Sequence, residues 1–147
     1  MFKASETILL HGKFYLRVYR KGCLVEEWQD HNLVVNAARE QMTRLIASAT
    51  EDKFINRIAF GTNGSEPDVS DTLITNQFVK PISAYSFPKT GEVRFDWLLK
   101  ETENNGMAIS EMGLLTADGK LFARKVRQNP LNKASDISLE GHWIISF

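Results

Sequence analysis

The sequence predicts a mainly β fold: an antiparallel β-sandwich or barrel-like domain carrying one amphipathic α-helix at about residues 37-49. Three observations predict it. Apolar and polar residues alternate with period two in segments spread along the chain. Turn signals in the second half recur about every eight to twelve residues, the spacing of antiparallel strands. Only one segment has helical periodicity, and one helix cannot supply the crossovers of a parallel sheet.

Phe14 to Arg20 alternates, with Phe14, Leu16 and Val18 on one face. Lys21-Gly22 supplies a two-residue turn, and Cys23 to Trp28 returns, so the first 30 residues predict a β-hairpin. Asn36 is a good helix N-cap, and the following segment is rich in helix formers. Ala38, Met42, Leu45, Ile46 and Ala49 fall on one helical face. Phe54 to Phe60 predicts a strand ending at Gly61-Thr62-Asn63-Gly64, and Ser65 to Asp71 is a polar loop. Asp71 is placed to cap a short turn at Thr72-Leu73-Ile74. Phe78 to Phe87 is extended, and Pro81 puts it at an edge or a bulge.

Val93, Phe95, Trp97 and Leu99 begin a series of strands. Glu103 to Gly106 turns and Ala108 to Thr116 returns. Asp118-Gly119 is a strong hairpin signal, and Leu121 to Val126 follows until Asn129-Pro130-Leu131-Asn132 breaks it. Ile137, Leu139, Gly141, Trp143, Ile145 and Phe147 alternate without a slip, a pattern that places the final strand inside a sheet. Seven or eight strands and one helix result.

Length fits one domain spanning 1–147, and no repeat, linker or low-complexity stretch divides it. A 43% hydrophobic fraction excludes a disordered chain. Eighteen basic and eighteen acidic residues cancel, which argues against a nucleic-acid partner. The lone Cys23 excludes an intramolecular disulfide framework and a multi-cysteine zinc site. No secretory signal is visible and no apolar run nears the roughly 18 residues that span a bilayer, so no membrane partner is expected.

Candidate chemistry is sparse. Gly61 to Gly64 lacks the lysine of a phosphate loop, and Glu66 follows instead. Glu66, Asp68 and Asp71 lack the alternation of a calcium loop. His11, His31 and His142 are scattered without zinc spacing. Glu101, Glu103 and Glu111 could pair for glycoside chemistry, but their simpler role is polar facing on solvent-exposed strands. Lys120, Arg124, Lys125 and Arg127 form a small basic group whose simpler role is a solvated strand and turn, or salt bridges at a protein interface. No catalytic residue, metal or cofactor is expected.

Three stretches, in order, resemble one family. His31 to Arg39 leads from a strand into the helix. Ile58 to Gly64 is followed by Pro67, Asp71-Thr72 and Leu73. Ile109 to Gly119 is followed by Leu121 to Arg124 and Ser135 to Trp143. Together they resemble small structural proteins of tailed bacteriophages and prophages, associated with tails, baseplates or fibres. The chain departs at Asn63, where the pattern often has a second glycine. The resemblance implies a non-enzymatic virion component, made in the host cytoplasm, that assembles with itself and with other virion proteins. Trp28, Phe78, Val79 and Phe87 are the expected docking residues, on edges near the N-terminal hairpin or at Phe78–Phe87. Gly22, Gly61, Gly64, Gly113, Asp118 and Gly119 are the expected structural turns, Gly113 also allowing a close pass between strands. A head-decoration protein, or a carbohydrate-binding host-attachment module using Trp28, Trp97 or Trp143, remains an alternative.

Overall fold

The structure is a computed structural model that describes residues 10–47 and 51–147. Its elements are β1 (His11–Arg20), β2 (Cys23–Val34), α1 (Asn36–Ile46), β3 (Ile55–Gly61), β4 (Phe78–Pro81), β5 (Ala84–Ser86), β6 (Glu92–Leu99), β7 (Ala108–Thr116), β8 (Leu121–Asn132) and β9 (Ile137–Ser146). The chain is mainly β, with nine strands among the described residues instead of seven or eight. They form one sheet in the order β4-β3-β7-β8-β2-β1-β9-β6-β5. Every pairing is antiparallel.

The sheet curls because its two halves share an apolar face. β2 joins them only where Leu33 and Val34 pair with Arg124 and Ala123. Phe60 of β3 meets Trp97 of β6 with ring centroids 5.5 Å apart, although five strands separate them in the sheet. Phe14 stacks on Trp97 at 5.8 Å and meets Trp143 edge-on at 4.8 Å. Trp97 and Trp143 are buried, as their alternation predicts. The two edge strands, β4 and β5, are consecutive in the chain and separated only by Ile82 and Ser83. Ile82 N–H donates to Asn56 on one half and Ser83 N–H to Asp96 on the other. The edges therefore meet at that corner, and the result is a half-barrel.

Five local expectations are corrected. The helix ends at Ile46, not at residue 49, and Ala49 lies outside the described residues. Val35 holds the N-cap position without a side-chain bond, while the Asn36 amide donates to Val69. The buried helical positions are Ala38 and Gln41, whereas Leu45 and Ile46 are 41% and 88% exposed. The helix meets the sheet through its first turns, and no residue of its last turn is buried. β8 does not break at Asn129. Its ladder slips between Ile109 and Glu111, a bulge takes up the extra residues including Pro130, and Leu131 pairs again with Ile109. Finally, Asp71 starts no turn of helix; its carboxylate accepts from Arg124 and from the Asp68 amide.

Candidate functional site

Two of the three stretches set apart by their residue order, around Ile58 to Leu73 and Ile109 to Arg124, meet in one buried ion cluster. Arg124 projects from β8, and its side chain is 2% exposed. Its Nε and Nη2 donate to Glu111 Oε2 on β7 at 3.0 and 2.7 Å. Its Nη1 donates to Asp71 Oδ2 at 2.9 Å. The same Nη2 reaches the carbonyls of Asn63 and Ser65. The other Glu111 oxygen accepts the Thr75 amide at 2.6 Å. One arginine and one glutamate thus pin the 62–77 loop across two strands. A buried charge must be paired and hydrogen-bonded, and here both are.

Glycine is required beside this cluster. A Cβ on Gly61 would lie 2.6 Å from both Glu111 Oε1 and the Thr75 carbonyl. On Gly113 it would fall 2.8 Å from the Ile74 side chain. Gly61 ends β3 and Gly113 sits mid-strand in β7, so both admit Ile74 to the core and neither makes a turn. A Cβ on Gly64 would make only an ordinary contact, 3.6 Å from Ser110 Cβ, while Gly22 and Gly119 take positive φ in the hairpin turns they were expected to form.

A second network locks the helix to the β7–β8 hairpin. Asp118 accepts Lys53 Nζ at 2.7 Å, Gln41 Nε2 at 2.7 Å and the Thr116 hydroxyl. Burial alone would raise the Asp118 carboxyl, but Lys53, Thr116 and Gln41 outweigh it and hold it at about 2. Lys53 rises in turn, chiefly through the same bond. Lys133 is also buried. It donates to the Glu101 and Ala134 carbonyls and to Asn105, and burial lowers its pKa.

No family profile, curated protein or solved structure matches the chain.

The remaining candidates are held apart. Glu111 is buried against Arg124, Glu103 binds Lys80 at 2.7 Å, and Glu101 is exposed. The expectation that these glutamates face solvent fails for Glu111, whose side chain is 0% exposed because Arg124 compensates its charge. The basic group is likewise not solvated as a whole. Arg124 is in the cluster, Lys125 donates to Asp30 at 2.7 Å, and Arg127 forms a two-pronged bond with Glu26. That Lys125 bond, with the His31 amide, holds the Asp30 carboxyl below its ordinary value. Cys23 is exposed and free, and no group of three or more His, Cys, Asp or Glu residues could hold a metal among the described residues. No described helix is long and apolar enough to cross a membrane.

The expected docking residues fall in different surroundings. Lys125 and Arg127 lie over the Trp28 ring, 5.0 and 5.4 Å from its centroid, and Phe14 meets it edge-on at 5.6 Å. Trp28, Lys125 and Arg127 line the open gap left where β2 and β8 pair only at Leu33 and Val34. β1 is enclosed between β2 and β9, but β2 pairs with β8 only at Leu33 and Val34, so among the described residues Cys23 to Asn32 leave one side of β2 without a strand partner. Phe78 and Val79 are on the β4 edge but half-buried against the core. Phe87 is 73% exposed and stands edge-on to Tyr85, itself 69% exposed, beside the β5 edge. Tyr85 was missed, and an aromatic at alternate spacing from Phe87 was the available signal. Lys53 and Gln41 were also missed, because only the fold brings them to Asp118.

Proposed function

We propose that this chain is a non-enzymatic structural protein of a tailed bacteriophage particle, assembling with itself and with other tail, baseplate or fibre components. One observation carries the reading. The polar residues of the family-like stretches, Asp71, Glu111 and Arg124, are bonded to one another and to the loop backbone. Residues used this way stabilise a rigid scaffold and supply no group to a reaction. The exposed pair Tyr85 and Phe87 beside an edge strand offers the contact surface, since an edge leaves backbone groups free for another chain to pair with.

Fractionation of purified particles, followed by immuno-electron microscopy with an antibody against the chain, tests this. Labelling of tails or baseplates is the expected outcome. Labelling of heads would assign the decoration role instead. Absence from particles, together with a strictly monomeric profile in gel filtration with light scattering, would overturn the proposal.

A further inference from the structure

The side of β1, β9 and β6 turned away from the core forms a surface that no motif announces. Alternation separates the two sides: Phe14, Leu16 and Val18 are buried, whereas Lys13, Tyr15 and Arg17 point outward. Cross-strand register then sets the outward residues in rows. One row runs Gln29, Tyr15, His142 and Asp96, and its neighbour runs Glu27, Arg17, Glu140 and Leu98. An open groove of about 910 Å³ crosses them, lined among others by Tyr15, Arg17, Glu27, Arg94, Asp96 and His142. At its centre the Tyr15 and His142 rings stack, with centroids 4.2 Å apart and planes inclined by 22°. Fixed polar groups surround them. Arg17 pairs with Glu27 at 3.1 Å, Arg94 with Asp96 at 2.8 Å, and the Tyr19 hydroxyl donates to Glu140 at 2.7 Å.

We infer that this groove binds a neutral oligosaccharide through the Tyr15–His142 platform. Each ring of the stacked pair covers one face of the other and keeps its second face and its polar tip, which suit the C–H face of a sugar ring and the hydroxyls around it. The guanidinium and carboxylate groups present donors and acceptors side by side while largely cancelling in charge. Three carboxylates, Glu27, Asp96 and Glu140, oppose a polyanion such as nucleic acid. Burial and the nearby Arg94 lower the His142 pKa, so the ring adds no positive charge at neutral pH. Leu98 is the one large apolar side chain of these two rows, too little for the apolar centre of a protein interface. The volume lies in the range of small-molecule sites, roughly 300–1,000 Å³. This inference is independent of the particle assignment, and either can fail alone.

The test is a printed array of neutral and acidic oligosaccharides probed with the labelled full chain, followed by calorimetry with the strongest neutral binder. Binding to neutral glycans is expected. Tyr15→Ala should weaken it by about tenfold, the loss of one aromatic contact, and Tyr15→Phe should stay within about threefold. Asp96→Asn, which keeps the shape and removes the charge, should also weaken it. Arg39→Ala, on the exposed side of α1, should leave it unchanged, and near-UV circular dichroism checks that each variant is folded. Failure to bind any neutral glycan, binding to acidic glycans only, or an affinity indifferent to Tyr15→Ala would overturn the inference. So would self-association of the chain abolished by Tyr15→Ala, which would make this face an interface between copies.

Discussion

Replacing Arg124 with methionine removes the centre of the buried cluster while keeping much of its apolar volume. The variant loses two bonds to Glu111, one to Asp71 and those to the Asn63 and Ser65 carbonyls. Glu111 is then left fully buried with the Thr75 amide as its one remaining partner. Breaking a buried pair from one side costs about 3–5 kcal/mol, because the surviving charge is uncompensated. At this chain length that lowers the melting temperature by roughly 10–15 °C. Urea unfolding at pH 7, followed by tryptophan fluorescence, measures it. The double variant Arg124→Met with Glu111→Met should recover part of the loss, since no buried charge remains. Limited proteolysis should also cut Arg124→Met within the 62–77 loop, which the wild-type cluster pins. A loss below about 1 kcal/mol, or a double variant as unstable as the two single losses added together, would refute the account of the cluster as the main fastening of that loop.

Three further outcomes follow from the same packing. Gly61→Ala should destabilise more than Gly113→Ala in thermal melts, because its Cβ meets the Thr75 backbone, whereas the Cβ on Gly113 meets side-chain ends that can shift; the latter should cost about 1–3 kcal/mol. Trp143→Ala should cost on the order of 3–5 kcal/mol in urea, since the ring is fully buried and its indole N–H donates to Asn32. Asp118 has a lower pKa folded than unfolded, so its contribution is complete above about pH 4 and fades as pH falls towards 2. Wild type should therefore exceed Asp118→Asn in stability at pH 6 by more than at pH 2.5, as denaturant titrations at the two values would show.

The strand positions were legible because period-two alternation survives wherever one face is buried. β9 is the clearest case, with Leu139, Trp143 and Ile145 inward as their spacing requires. Turn chemistry was legible for the same local reason at Gly22 and Gly119. What failed depended on distant partners. Gln41 replaces an apolar residue in the helix face because Thr116 and Asp118 wait for its amide. Glu111 and Arg124 read as surface charges because nothing within either strand reveals that each compensates the other. Leu45 and Ile46 keep a helical apolar spacing but stay 41% and 88% exposed, because only the first turns of the helix bring buried positions to the core.

That division bears on where recognition is sought in this molecule. The stretches with the most distinctive residue order hold the 62–77 loop, Glu111 and Arg124, and their polar atoms are already bonded within the protein. A side chain committed to such a cluster cannot exchange its partner for a ligand without leaving a buried charge unpaired. Side chains free to make outside contacts lie away from that cluster: Tyr15 and, within Ser135 to Trp143, His142 on the outer face, and Tyr85 and Phe87 beside the β5 edge. Changing them leaves the core untouched, so selection for binding can act on them separately from selection for folding. Substitutions at Tyr15 or Tyr85 should accordingly alter contacts with other molecules while shifting stability by no more than about 1 kcal/mol, the reverse of what Arg124 and Gly61 should do.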